Sequence, residues 1–288
     1  NGILMMITLE NVTFGYRRKC PVFADFSCHL SQGGVYGLLG RNGAGKSTLL
    51  HLMAGLLIPG AGHVRFRDVE VSRRLPQTMA EVFIVPEEYA LPPLKLADYV
   101  RLQGCFYPRF SVVDFKRYLQ LFEVEYACRL DNLSMGQRKK VLISFALATH
   151  TSLLLMDEPT NGLDISGKSQ FRKLMAIEGD EERTMVISTH QVKDIERLVD
   201  RVTILDGSRL LLNEPVDRIC RALYFTETDD PAEVNRALSA VPSIRGTRVM
   251  VPNTDGRDSD LNLELLFNGT LEHPAEMAAL FHSSNTDL

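Results

Sequence analysis

The sequence predicts an α/β fold, a parallel sheet covered by helices, with an antiparallel β subdomain, a helical insertion subdomain and a small α+β C-terminal extension. Three observations predict it. Short apolar runs at residues 35–39, 82–85, 153–157 and 184–188 read as strands buried on both faces. Helix-period segments at about 47–57, 165–177 and 191–199 alternate with strands, which implies parallel pairing. The first strand and first helix are joined by a glycine-rich turn, Gly40-Arg41-Asn42-Gly43-Ala44-Gly45-Lys46-Ser47.

Taken in order, residues 7–14 alternate in polarity and 22–30 do so less cleanly, with Tyr16-Arg17-Arg18-Lys19 as the turn between two antiparallel strands. Residues before Met5 or Met6 read as a remnant ahead of the natural start, and residues 1–6 lack the basic and apolar parts of a secretory leader. After the glycine-rich turn and its helix, Pro59-Gly60-Ala61-Gly62 turns the chain into a strand at 64–66. The strand at 82–85 stops at Pro86-Glu87-Glu88. Helical spacing then dominates at 94–106, 112–122 and 137–148, a subdomain of about residues 94–150 inserted between strands. A hairpin at 202–205 and 209–212 turns around Asp206-Gly207. Beyond it, strands are expected at 221–226, 247–251 and 262–267 and helices at 231–238 and 274–281. The organisation expected is one domain over residues 6–213 and an extension over 214–288.

Composition narrows the function. With 45% hydrophobic residues in 288, there is material for a large core or two lobes. A net charge of −4 supplies no basic field for nucleic acid, and none is expected as a partner. Five cysteines, an odd number with no Cys-x-x-Cys pair, suggest a reduced compartment, and cytoplasm is the default. No apolar run approaches the ~20 residues of a membrane helix. The turn Asp180-Glu181-Glu182 reads as solvated surface.

The glycine-rich turn fits Gly-x-x-x-x-Gly-Lys-[Ser/Thr], the phosphate-binding P-loop, in the strand–turn–helix setting it requires. Gly40, Arg41, Asn42, Gly43, Ala44, Gly45, Lys46, Ser47 and Thr48 aim backbone N–H groups and a helix N-terminus at one point, where a polyphosphate binds. Lys46 reaches the β- and γ-phosphates and the Ser47 hydroxyl reaches Mg²⁺. Asp157 and Glu158 end an apolar strand, where open α/β sheets bind ligands; Asp157 suits Mg²⁺ and Glu158 suits activation of a water. Tyr16, just past the first strand, is placed to stack on a purine or simply to pack.

Here the chain resembles the ATP-binding cassette family. Leu133-Ser134-Met135-Gly136-Gln137 is similar to that family's Leu-Ser-Gly-Gly-Gln signature, Thr160-Asn161-Gly162-Leu163-Asp164 to its D-loop, His190 to its switch histidine, and Tyr16 to its adenine-stacking aromatic, across residues 6–213. The resemblance implies a P-loop NTPase core that hydrolyses ATP with Mg²⁺. It implies a head-to-tail homodimer in which Ser134, Gly136 and Gln137 serve the γ-phosphate of the other copy's nucleotide, with His190 at the γ-phosphate and attacking water. It further implies separate transmembrane permease subunits that hold the protein on the inner face of the membrane, most like ABC-2-type exporters. Two departures stand out. Met135 replaces a glycine, with a cost of order 1 kcal/mol if its backbone needs positive φ. Glu87 stands where the family has a glutamine, as a further Mg²⁺ ligand and a sensor of the membrane partner. Arg138-Lys139-Lys140 reads as a solvated face or as an aid to phosphate orientation. The alternatives are a soluble relative acting on nucleic acid or ribosomes, and a nucleotide-binding regulator with little turnover.

Overall fold

The computed structural model describes residues 4–17, 20–179 and 182–282. Residues 18 and 19 of the first predicted turn, and 180 and 181 of the acidic turn, lie outside the described residues.

Strand β1 (Met5–Phe14) pairs antiparallel with β2 (Phe23–Ser31). The imperfect alternation of β2 has a cause: Asp25 takes φ +53°, interrupting the phase between Phe23 and the buried series Phe26, Cys28, Leu30. Strand β3 (Gly34–Gly40) feeds the P-loop and α1 (Lys46–Met53). That helix is shorter than the predicted 47–57 because Gly55 takes φ +66°, where a Cβ would lie 2.9 Å from the Val71 carbonyl oxygen, and the Leu56 N–H turns back to His51. β4 (Ala61–Phe66) joins the far side of β1 and carries β5 (Val69–Glu70), completing a four-stranded antiparallel sheet.

A short helix α2 (Pro76–Met79) precedes β6 (Val82–Val85), after which come the helices of the insertion, α3 (Leu96–Gly104), α4 (Val112–Leu121) and α5 (Met135–Ala148). Phe145 of α5 is the hub of their packing, its ring within 4.8–6.3 Å of those of Phe83, Tyr99, Tyr107, Phe110 and Phe115. The chain returns through β7 (Leu153–Asp157), α6 (Ile165–Glu178), β8 (Thr184–Ser188), β9 (Arg201–Asp206) and β10 (Arg209–Pro215). The six-stranded sheet runs β10-β9-β3-β8-β7-β6, parallel except for the β9–β10 hairpin. Because β3, β8 and β7 are neighbours, their carboxyl ends, at the P-loop, Ser188 and Asp157, open onto one place.

Residues 191–199 do not form the predicted α-helix. Only a 3₁₀ turn, Val192–Asp194, is present, with i→i+3 bonds to Asp194, Ile195 and Leu198. Asp194 is drawn 2.8 Å from Lys168 of α6, and Glu196 accepts from the Leu263 N–H, so the segment is pinned from two sides and tightens.

The extension comprises α7 (Val216–Ala222), β11 (Leu223–Thr228), α8 (Pro231–Asn235), β12 (Ser239–Ser243), β13 (Gly246–Pro252), α9 (Leu263–Glu272) and α10 (Pro274–His282), with its strands in the order β11-β13-β12. Residues 262–267, read as a strand, are the cap and first turns of α9. Asn262 accepts from the Leu265 N–H at 3.0 Å and commits the apolar run to a helix, an ambiguity that short apolar runs carry.

Candidate active site

The P-loop leaves β3 at Gly40 and turns through an Ala44 N–H to Arg41 carbonyl bond of 3.0 Å, with Gly43 at φ +80° and Gly45 at φ +94°. A side chain at Gly45 would also meet Phe23 at 2.8 Å, whereas Gly43 faces open space. Gly45 caps α1 without a side-chain bond, so the first-turn N–H groups point into the loop's concavity uncovered by any side chain. This is a cradle for an anion. Lys46 is 7% exposed and its ammonium donates to the carbonyls of Gly40 at 2.9 Å and Arg41 at 3.3 Å. Burial pushes its pKa down, and Glu158, Asp157 and Glu87, in that order, pull it back up.

Asp157 and Glu158 are 3% and 5% exposed. The Ser188 hydroxyl donates to Asp157 Oδ1. Glu158 holds φ +45°, a left-handed backbone of the kind stored at functional sites, and its carboxylate is gripped from β8's end. Oε2 accepts from the Thr189 hydroxyl at 3.0 Å; Oε1 accepts from the His190 N–H at 3.0 Å and lies 2.8 Å from His190 Nδ1. Glu158 and His190 are therefore brought together as one unit. Glu87, exposed beyond β6, accepts from the Asn161 side-chain amide at 3.0 Å, whose own oxygen accepts from Gln191 at 2.9 Å. Gln191 in turn accepts from Lys168. One chain of polar side chains thus ties the loops after β6, β7 and β8.

Tyr16 is 64% exposed, sets its ring edge-on to Phe14 at 5.2 Å, and its hydroxyl lies 3.2 Å from that of Thr48 on α1. An open aromatic face beside the P-loop helix fits a planar base.

The signature segment stands apart. Ser134 caps α5 in a reciprocal box, accepting from the Gln137 N–H at 3.2 Å while Gln137 Oε1 accepts from the Ser134 N–H at 3.0 Å. Among the described residues no hydrogen bond or ion pair joins Ser134, Gly136 or Gln137 to the P-loop; Gly136 instead abuts Gly162, whose carbonyl oxygen lies 3.1 Å from where a Cβ would stand. Met135 is the first residue of α5 and is not among the positive-φ positions, so the anticipated backbone cost does not arise. Only Lys139 of the basic run is buried, Arg138 and Lys140 being half-exposed, and all three are engaged with backbone carbonyls. Arg138 donates to the carbonyls of Leu133 and Asp131, Lys140 to that of Phe122, and Lys139 is 2% exposed against Pro86 and Glu87.

Sequence reasoning missed Ser188, Thr189 and Gln191 as site residues, and read Asn161 only as part of the D-loop resemblance and Lys139 only as part of the basic run. The first two sit directly before His190, at a strand end already marked as a ligand edge. Gln191 is tied to Asn161 and Lys168, partners distant in the chain that no local pattern announces. Ser47, Asp157 and Glu87 each carry an oxygen ligand of the kind that a hard cation such as Mg²⁺ takes alongside phosphate oxygens. Among the described residues no group of three or more His, Cys, Asp and Glu forms a self-sufficient metal cage.

Residues 23–161 match the family described as ABC transporter. The ABC transporter ATP-binding protein YtrB of Bacillus subtilis is 25% identical over 273 residues, covering 90% of this chain and 91% of that protein. The Nod factor export ATP-binding protein I of Cupriavidus pinatubonensis is 32% identical over 201 residues, 65% of this chain, which spans 60% of that protein's length. A solved ATP-binding subunit of an ABC transporter matches with a TM-score of 0.67 at 25% identity, over 75% of this chain and 92% of that one.

Proposed function

We propose that this chain, whose residues 23–161 match the ABC transporter family and which is similar over 90% of its length to an ABC transporter ATP-binding protein, hydrolyses ATP to ADP and phosphate in a head-to-tail homodimer driving separate membrane subunits of an exporter. The observation that carries the hydrolytic part is the Glu158–His190 unit, a buried carboxylate held by three donors beside the P-loop.

The P-loop N–H groups and the N-terminus of α1 bind the phosphates, and Lys46 exchanges its carbonyl acceptors for phosphate oxygens. Tyr16 stacks on adenine. Glu158 takes the proton of the attacking water at its carboxylate, with Thr189 and His190 fixing its direction. Ser47, Asp157 and Glu87 would hold Mg²⁺, which would supply positive charge to offset that of the nucleotide phosphates. Ser134 and Gly136 at the head of α5 present their N-terminal donors to the γ-phosphate held by the other copy. The exporter assignment draws on the relative named for Nod factor export. Among the described residues no helix is long and apolar enough to cross a membrane.

Steady-state phosphate release tests the hydrolysis: turnover is expected with MgATP, and its absence at saturating nucleotide would refute it. Pull-down of tagged Glu158→Gln protein with ATP from gently solubilised native membranes tests the transport part. A multi-helix membrane subunit is the expected partner; recovery of ribosomes or nucleic acid instead would overturn transport and leave the ATPase standing.

A further inference from the structure

Lys139 lies on α5, two residues past the signature, and is 2% exposed. Its ammonium donates to the carbonyl oxygens of Pro86 at 3.3 Å and Glu87 at 3.4 Å and sits 5.2 Å from the ring centroid of Tyr89. No carboxylate lies within ion-pair distance of it among the described residues. A buried cation so weakly compensated is costly, and an apolar side chain of similar length would avoid the cost. Packing alone therefore does not explain a lysine here. Three carboxylates surround it at longer range, Glu87, Asp157 and Glu158 in decreasing influence, the same three that act on Lys46 from the P-loop side. A second link runs parallel: the Tyr89 hydroxyl donates to the Met135 carbonyl at 3.4 Å.

We propose that Lys139 is a positioning residue that ties the signature helix to the backbone carrying Glu87, so that Glu87 is placed over the Asp157–Glu158 pair according to where α5 stands. The inference rests on the ATPase reading above. Glu87 projects from the backbone that Lys139 holds, and its side chain is steadied by Asn161 on the other side. A displacement of α5 carries the Pro86 and Glu87 carbonyls with it, and the carboxylate then leaves or meets its place near the nucleotide phosphates. The ammonium also offsets part of the negative charge of these three carboxylates.

The test uses the full chain with Lys139→Met, Lys139→Arg, Glu87→Gln and the double variant Lys139→Met/Glu87→Gln. Lys139→Met is expected to hold nucleotide affinity near wild type while kcat falls ~10- to 100-fold, the loss typical of a group misplaced by about 1 Å. Lys139→Arg is expected to recover most of that loss. Adding Glu87→Gln to Lys139→Met should lower kcat no further, since the two act through one group. Independently of activity, amide hydrogen exchange in residues 87–89 should quicken in Lys139→Met while that of α5 and β7 is unchanged. Wild-type kcat in Lys139→Met, additive losses in the double variant, or exchange quickened throughout α5 would each overturn the proposal. If Lys139→Met does not fold, Lys139→Gln takes its place with the same outcomes. A wild-type protein that releases no phosphate would refute the ATPase reading instead, and the exchange measurement would still decide the tether.

Discussion

Replacing Glu158 by Gln removes a negative charge and a proton acceptor while leaving volume and most hydrogen bonds in place. The Gln oxygen can accept from the His190 N–H, and its amide can donate to Thr189, whose hydroxyl accepts as readily as it donates. Folding should therefore be little affected, and Tm should stay within about 2–4 °C, the shift that 1 kcal/mol causes in a chain of this size. The chemical step is different. General-base assistance is worth ~10²- to 10⁴-fold, which at 1.36 kcal/mol per decade amounts to about 2.7–5.5 kcal/mol of barrier. Lys46 loses the carboxylate that raises its pKa most but keeps Asp157 and Glu87, so phosphate binding should persist. The assay pairs phosphate release with nucleotide binding on the same preparation: kcat should fall at least ~100-fold with affinity retained. Turnover within about tenfold of wild type would refute Glu158 as the base.

Three further outcomes follow from named contacts. Lys46→Ala removes the ammonium that now rests on the Gly40 and Arg41 carbonyls, and nucleotide affinity should drop more than tenfold, about 1.4 kcal/mol or more, by fluorescent-nucleotide titration. Phe145→Ala empties the centre of the six-ring cluster and should cost ~3–5 kcal/mol in denaturant unfolding, loosening the helical insertion before the sheet. Cys28 is fully buried, which pushes its thiol up to about 12, so a disulfide reagent at pH 8 should label exposed Cys20 and Cys105 promptly and Cys28 only after unfolding. Because the folded pKa lies above the unfolded one, Cys28's contribution to stability is complete below pH 9.0 and is lost as pH rises toward about 12.

What could be read from the sequence was whatever obeys a local rule. The P-loop was legible because glycines, lysine and hydroxyls must stand at set intervals, and strands β7 and β8 because three or four consecutive apolar residues bounded by polar ones suit a doubly covered strand. The helix expected at 191–199 failed because its periodicity is real but its length is set by anchors elsewhere, Lys168 and the N–H of Leu263. Residues 262–267 failed because period 2 and period 3.6 are indistinguishable over so few residues, and the cap at Asn262 decided the matter. At the site, Glu87 could be flagged by its place after β6, but its partner Asn161 lies 74 residues away. The basic run misled for a related reason: composition alone cannot say that three consecutive cations each find backbone carbonyls in the loops packed around them.

The arrangement of the two anion-seeking helix ends bears on how the site is completed. In the P-loop the donors are uncovered, and the lysine that would meet a phosphate is parked on nearby carbonyls. At the head of α5 the Ser134 and Gln137 side chains satisfy one another, so a γ-phosphate there must replace a neutral cap with a charge-assisted bond, an exchange that favours the anion. Among the described residues no hydrogen bond or ion pair joins these two ends. Around the second one, Met135 and Ile165 present apolar side chains 78% and 88% exposed, beside the signature and just past the D-loop. Large apolar groups flanking an incomplete polar site are costly to leave in water and are buried together if a second P-loop closes over them. A nucleotide bound between two copies would satisfy both halves at once, whereas a nucleotide bound to one copy satisfies only the first, and that difference in contacts is what would let ATP bind and its hydrolysis drive closure and release.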